Sequence, residues 1–563
     1  MSSKPGPFNP GAALQEAVTL HRQGQLRDAE KIYARVLKAA PDNFDALNLM
    51  GGVKLQQGRF GEAERLFRAA AKANAGAPHT WSHLGQALHA QKRAAEAFEC
   101  LDKARMLAPD DVNILNQHAN VLLSIGRPAD ALAEFKAVLG SMPQHVEARI
   151  NCGLAQAALG APELALGEFN TALKLAPGHP VALYNCGVAL IGLGRYTEAV
   201  AANDGVLAVV PDHANAWLNR GKALAQLARF DEAVASYGKA IALRKDFADA
   251  HFNRALALLT LGDYRHGLAE YEWRWRRTGM VAEKSRGRPL WLGDYPLARK
   301  TILLHAEQGL GDTIQFARYV PLLAAQGAKI VLEVPAELKP LLSGLGAAAV
   351  IGRGEVPPPF DVHCPVGSLP LAFKTELKSV PAQIPYLSAD EARLAKWSAR
   401  LGGLARPCVA LVWSGNASHD NDRNRSIAFA KLAPLFSETS ASFISLQRDV
   451  RDSDGAPLAA EKRVTHIGGE LDDFGDTAAV LALCDLVITV DTAVAHLAGA
   501  LGRPVWVLVP FAPDWRWTPQ GERTPWYPTA RLFRQTSQSD WDGVIARVAA
   551  ELKRPVSPNA YPI

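Results

Sequence analysis

Seven alanines at a strict 34-residue step, Ala29, Ala63, Ala97, Ala131, Ala165, Ala199 and Ala233, constrain the fold more than anything else in this chain. Prolines keep the same register (Pro41, Pro109, Pro143, Pro177, Pro211), with Ala75 filling the one gap. So do Gly51, Gly85, Gly153, Gly187 and Gly221, and the aromatics Tyr33, Phe67, Phe135, Phe169 and Tyr237. A period of this length is one helical hairpin repeated. Small residues let the two helices touch, the aromatic fills the groove between them, and Pro ends the second helix. Gly24, Gly58, Gly126, Gly160, Gly194 and Gly262 fall where the hairpin turns.

This is the tetratricopeptide pattern. Seven repeats span about residues 11–245, and a degenerate eighth from Phe247 to about Arg277 is expected to cap an α-superhelix. One polar position recurs on the first helix of the later repeats: Asn151, Asn185, Asn219 and Asn253. An amide both donates and accepts, so a ladder of them can pair with an extended peptide backbone. The alternative is that each Asn ties its own superhelix together. After the repeats, YEWRWRR (residues 271–277) is expected to pack the stack onto the next domain through Trp273 and Trp275, with the Arg residues outside; the alternative is that the two tryptophans stack on a base or sugar. Residues 279–300 read as a linker.

At 563 residues the chain is too long for one core. Its apolar content of 48% is ordinary for globular protein, and a net charge of +5 gives no reason to expect nucleic acid or a membrane surface. The first ten residues, read as a disordered leader, have no apolar stretch of the signal-peptide kind, and no run of 18 apolar residues occurs. Six cysteines lie without C-x-x-C pairs and read as small buried hydrophobes of a reducing cytoplasm.

The second half alternates strand and helix. Residues 301–305 form a short apolar strand leading to the turn Gly309-Leu310-Gly311-Asp312, then a helical period through Leu323, then a strand at 329–334. A stretch at 381–406 joins this to a second such fold, which opens with a strand at 409–413 and a basic loop holding Arg423 and Arg425. Another strand ends at Gln447. Then comes CDLVITVDTAVAHLAGALGRPVWVLV, residues 484–509: strand, turn at Asp491-Thr492, helix, strand. A helix N-terminus at a sheet's carboxyl edge is an anion site.

DTAVAHLAGALGRP resembles the D-T/S-x-x-x-H-L-A-A/G-A-x-G-x-P signature of heptosyltransferase-like enzymes, glycosyltransferase family 9. The resemblance implies an α/β GT-B fold of two Rossmann-like domains (residues 301–395 and 396–555, then a tail at 556–563) and an inverting transferase. It implies that a nucleotide-sugar diphosphate sits at Asp491, Thr492 and Ala493, with His496 one turn in, Arg423 and Arg425 on the phosphates, Gly311 at the donor and Gln447 at the ribose or base. Asp312 resembles the base that activates the acceptor hydroxyl; as a plain alternative it is a helix N-cap. One departure is Arg318 where the family usually has Pro, with Pro at 321 instead. His496 has the alternative of a satisfied buried histidine, and the two arginines that of a solvated loop.

No metal or other cofactor is expected. The triplets Asp420-Asn421-Asp422 and Asp452-Ser453-Asp454 read as non-metal, because a helix terminus already serves the diphosphate. The aromatic, Pro-rich stretch at 510–528 reads either as a sugar wall or as a brace between domains. Repeats fused to a transferase resemble O-GlcNAc transferase and repeat-containing flagellin glycosyltransferases, which implies a protein acceptor, flagellin among the candidates. The rivals are a lipid- or saccharide-directed transferase whose repeats recruit a partner, and a non-catalytic scaffold.

Overall fold

The computed structural model describes residues 8–277, 287–419, 421–437 and 439–554. It divides into two compact units, Met1–Pro211 and Asp212–Ile563. The first unit is built of helical hairpins, from Pro10–Arg22 with Leu26–Ala39 to Pro180–Leu193 with Tyr196–Val209. The register of small and large residues explains the pairing. A Cβ on Gly51 would stand 2.7 Å from the Phe67 ring, and one on Gly153 2.6 Å from the Phe169 ring. Where the second helix offers no aromatic, Leu101 lies against Gly85 and Asn203 against Gly187.

The hairpin turns need a left-handed residue, and Gly24, Gly58, Gly126, Gly160 and Gly194 supply φ between +73° and +77°. The third repeat puts Lys92 there at φ +63°, and the seventh puts Ala228 at φ +56°. A side chain in that region costs roughly 1–2 kcal/mol, partly offset by the backbone entropy glycine would lose. Lys92→Gly and Ala228→Gly are therefore each expected to raise stability by roughly 1 kcal/mol, read as a higher midpoint in urea. A lower midpoint would show that the turn is held by side-chain contacts instead.

The second unit opens with α1 (Ala214–Gln226) and its partner helix Phe230–Leu243, then α2 (Ala248–Thr260) and the short α3 (Tyr264–Tyr271). The expected cap is not what this eighth pair is. Leu259, Tyr264, Leu268 and Tyr271 are buried in the same apolar core as Ile302, Leu304, Phe316 and Trp526 of the α/β part. The arginine expectation holds at exposed Arg276 and is corrected at Arg274, which is 1% exposed, whereas Trp273 and Trp275 are half-buried. Burial of Arg274 is tolerated because Glu272 and Glu307 pair with it and Ser368 accepts from it. Trp273 stacks on His251 at 3.8 Å.

Part of the stretch read as a linker, 279–286, lies outside the described residues, as do the leader residues 1–7 and the tail. From Gly287 onward the chain is integrated: Leu290 bridges to His363, and Trp291 and Leu297 enter the core.

Two parallel sheets follow. β1 (Thr301–His305), β2 (Lys329–Val334), β3 (Ala349–Gly352) and β4 (Val362–Pro365) form the first, in the order β3-β2-β1-β4. β5 (Cys408–Val412), β6 (Ser442–Ser445), β7 (Val464–His466), β8 (Leu486–Val490), β9 (Val505–Val509) and β10 (Ala530–Arg534) form the second, in the order β10-β9-β8-β5-β6-β7. β5, β8 and β9 are buried along their whole length, which is why they read as continuous apolar runs. The helical period after Asp312 is two helices, α4 (Leu310–Phe316) and Tyr319–Ala325, because Pro321 cannot continue the ladder. Among the described residues no helix is long and apolar enough to cross a membrane.

Candidate functional site

β8 runs into α5 (Ala493–Ala500) at the carboxyl edge of the second sheet. Thr492 is the cap residue but makes no capping bond; its hydroxyl lies 3.1 Å from that of Thr489. Asp491 precedes the cap rather than starting the helix. Among the described residues the first N–H groups of α5 are thus left without a side-chain cap, beside half-buried Asp491, Thr492 and Ala493.

α4 comes up against this end. A Cβ on Gly311 would be 2.8 Å from His496 Cδ2 and 3.4 Å from Ala493 Cα, so glycine is what lets the two helix starts touch. Gly309, not Asp312, is the N-cap; Asp312 sits in the first turn, and its Oδ2 accepts from Gly309 N–H at 3.1 Å. The other oxygen accepts from the Arg516 guanidinium. Arg516 is buried and tied down at each nitrogen: Nη1 donates to Asp514 at 2.9 Å and Nε to Gln315 at 2.5 Å. One fork from the loop after β9 therefore ties the carboxylate of α4 to the mouth of the second sheet.

Burial, then the Asp514 carboxylate, pushes the Asp491 carboxyl up to about 6. The folded chain thus keeps a proton that the unfolded chain has released by pH 5. Stability from this group is present below about pH 4 and lost as pH rises through about 6, a swing of roughly 3 kcal/mol. Asp491→Asn is expected to raise stability at pH 7.5 by roughly 1–3 kcal/mol and to flatten the pH dependence between 4 and 7 in denaturant titrations. An unchanged pH profile would mean Asp491 is solvated and ordinary.

Arg425 belongs to the site. Its Nη1 donates to the Asp491 carbonyl at 3.0 Å, and its buried Nε has no hydrogen-bond partner among the described residues. Gly415 makes room for it, since a Cβ there would lie 2.7 Å from Nη2. Arg423 is exposed on the single-turn helix Asp422–Arg425, so the basic stretch is not a plain loop. That turn is held on one side by α1, where Asn424 donates to Gln226 at 3.3 Å.

Gln447 is a correction. Its Oε1 accepts from Trp413 and Ser414 N–H at 3.3 and 3.1 Å, and its Nε2 donates to the carbonyls of Ser414 and Asp449. With every hydrogen-bonding position taken it braces the turn after β5, and no group is left for a ribose or base. His496 is 5% exposed, 3.0 Å from the Tyr527 hydroxyl through Nδ1 and stacked on Trp517. Burial, then Arg516 and Arg318, holds it well below the usual histidine range, so it is neutral. It matches the satisfied buried histidine.

Arg318, which sequence reasoning noted only as a departure, clamps the two α/β parts. It is 3% exposed and donates to the carbonyls of Gln315, Pro381 and Trp526 at 2.8–2.9 Å. Trp517, Trp526 and Tyr527 are fully buried, which settles their stretch as a brace. Arg516 was missed altogether; a lone basic residue between two tryptophans just after β9 was the available signal.

In the triplets, Asp420 lies outside the described residues. Asp422 is buried between Arg451 and the Ser426 hydroxyl, and Asp454 accepts from the Trp413 indole at 2.8 Å and from Phe429 N–H at 3.0 Å. No group of three potential metal-ligating side chains occurs among the described residues. Of the four asparagines, Asn151 donates to Asn120 at 2.7 Å, Asn185 to the Val181 carbonyl at 2.9 Å and Asn253 to the Asp249 carbonyl at 2.7 Å. Asn219 Nδ2 is buried with no hydrogen-bond partner among the described residues.

A repeat array is thus followed by two parallel sheets of the nucleotide-binding kind, with a helix start that has no side-chain cap at the carboxyl edge of the second. Residues 383–536 match glycosyltransferase family 9 (heptosyltransferase), and tetratricopeptide families match 14–78, 48–112, 116–180, 184–237 and 223–262. The chain thus pairs tetratricopeptide repeats with a region similar to glycosyltransferase family 9. The transferase match includes α5 and Arg425 but not Asp312. Protein FlbA of Caulobacter vibrioides is 29% identical over 289 residues, 47% of this chain and 48% of FlbA. Tetratricopeptide repeat protein 8 of Caenorhabditis elegans is 25% identical over 145 residues, 25% of this chain and 28% of that protein. The chain thus spans less than half the length of either relative. Among solved structures, YrrB, titled a TPR protein with an unusual peptide-binding site, is similar at 23% identity and TM-score 0.29, covering 33% of this chain and 95% of that one. A tetratricopeptide repeat protein from Parabacteroides merdae ATCC 43184 is similar at 15% and 0.37, covering 44% and 98%. At these TM-scores neither bears on what this chain binds.

Proposed function

We propose that the chain transfers a sugar from a nucleotide-sugar donor to a hydroxyl of a protein that the repeats recruit in the cytoplasm. The observation that carries this is the contact of α4 with the start of α5, which brings the turn that bears Asp312 to a helix start with no side-chain cap, where Arg425 donates to the Asp491 carbonyl. The donor diphosphate takes the α5 terminus and the free Nε of Arg425, with exposed Arg423 at the rim. Asp312 receives the proton of the acceptor hydroxyl as that oxygen attacks the anomeric carbon. The bond from that carbon to the diphosphate oxygen breaks, the nucleoside diphosphate leaves, and the configuration inverts in one displacement. Arg516 holds Asp312 in place and, with Arg425, offsets the charge on the leaving group. No metal ligand is needed for that charge.

A protein acceptor is supported by the tetratricopeptide repeats themselves, a peptide-binding architecture, and flagellin is one candidate among bacterial polypeptides. Asn151, Asn185 and Asn253 each give one N–H to a neighbour within the repeats, which leaves a second N–H and the carbonyl oxygen of each amide to meet a peptide. The purified chain, screened against nucleotide sugars by thermal shift, is expected to be stabilised by at least one of them equally with and without EDTA. Stabilisation abolished by EDTA and restored by Mn²⁺ would return the reaction to metal chemistry.

A further inference from the structure

The last repeat and the turn before Asp312 share a buried polar junction that the transfer reaction as described does not use. Arg274, just after α3, donates to Ser368 Oγ at 2.6 Å, to Glu272 at 2.5 Å and to Glu307 at 3.1 Å. Glu307 also accepts from Gly367 N–H at 3.2 Å, so it links the turn after β1 to the turn after β4. Its neighbour Gln308 is held by Tyr271: Oε1 accepts from the phenol at 2.9 Å and Nε2 lies 2.6 Å from the same oxygen. The next residue, Gly309, gives its N–H to Asp312 Oδ2. Two consecutive residues of a short turn are thus fixed by the last repeat, and the third is bonded to the Asp312 carboxylate of α4.

Buried ion pairs of this kind add little net stability compared with apolar packing, but they fix one arrangement of the groups they join. A glycine-rich turn otherwise has wide backbone freedom. A general base must sit within a few tenths of an ångström of its productive place, and small misplacements cost rate rather than ground-state binding. We propose that Arg274 and Tyr271 are positioning residues of the transferase: the last repeat sets the 306–309 turn, and through it the Asp312 carboxylate. This rests on Asp312 acting as the base. It makes the last repeat part of the catalytic apparatus.

The test uses the full chain. Tyr271→Phe removes one hydroxyl and keeps the ring in the core; Arg274→Lys keeps a charge, and Arg274→Met removes it. Release of nucleoside diphosphate is followed with the nucleotide sugar that gives the largest thermal shift, alongside amide hydrogen exchange at 306–313 and donor Kd. Tyr271→Phe is expected to lower kcat about tenfold, leave the donor Kd within twofold, and speed exchange at 306–313 but not in β8 or β9. Arg274→Met should do the same more strongly, with partial recovery in Arg274→Lys. Unchanged exchange at 306–313 in Tyr271→Phe, or faster exchange with unchanged kcat, overturns the proposal. Asp312→Asn run in parallel separates the two readings. Full turnover there removes the base, whereas an inactive Asp312→Asn beside a fully active Tyr271→Phe removes only the positioning role.

Discussion

Asp312→Asn is expected to lower transfer by roughly 10²–10⁴-fold, the usual contribution of a general base, while the donor Kd stays within about twofold. The geometry makes this separation sharp. Asn keeps the size of the side chain, and its Oδ1 can still accept from Arg516, so the fork to Asp514 and Gln315 survives. Its amide nitrogen then meets the Gly309 N–H, donor against donor, where Oδ2 had accepted at 3.1 Å. That loss costs roughly 1 kcal/mol of stability, far less than the 3–5 kcal/mol of barrier that the rate change represents. A variant with full turnover and only a slightly lower melting point would leave Asp312 as a helix-turn stabiliser. The opposite variant is Arg425→Ala, which should weaken donor binding because it removes the only buried guanidinium nitrogen near Asp491 that lacks a protein partner among the described residues.

What could be read from the sequence was what repeats or what is local. The 34-residue register placed the helix pairs and the turn glycines, since both follow from neighbours a few residues apart. Apolar runs placed β1, β2, β8 and β9, because strands buried on both faces carry no competing pattern. The site was legible only in part. Asp491 and Thr492 follow a strand end and Asp312 opens the next helix, where the alternation itself points. Arg516 and Arg318 were not legible, because each is defined by partners about 200 residues away: Asp312 for the first, and the Trp526 carbonyl for the second. Gln447 was misjudged for a related reason. A strand-end glutamine looks the same whether it meets a ligand or, as here, saturates itself on the backbone of the adjacent turn. Arg274 inverted the surface rule for arginine, since its partner Glu307 is 33 residues further on.

Deleting residues 1–211 is expected to leave a folded transferase that still binds its nucleotide sugar and no longer modifies a protein acceptor, whereas deleting 1–278 destroys the fold. From sequence the two cuts differ little, and the second, at the end of the last repeat, is the natural one to make. The core says otherwise. Cutting at 278 removes Leu259, Tyr264, Leu268 and Tyr271, all buried against Ile302, Phe316 and Trp526. Burying side chains of this size contributes roughly 1.5–3 kcal/mol each, so about 6–12 kcal/mol goes with them. The Trp526 indole loses its acceptor, the Tyr264 hydroxyl at 3.0 Å. Glu307 is left as a buried carboxylate without Arg274, a further penalty of about 3–5 kcal/mol. Together these equal or exceed the roughly 5–15 kcal/mol by which a domain is stable at all. The cut at 211 follows the division between the two compact units and keeps α1, whose Gln226 carbonyl also accepts from Gln538 at 3.0 Å. Circular dichroism melts and a nucleotide-sugar thermal shift on both truncations decide the matter. A cooperative melt and donor binding in the 279–563 fragment would show that the eighth helix pair is a separable arm.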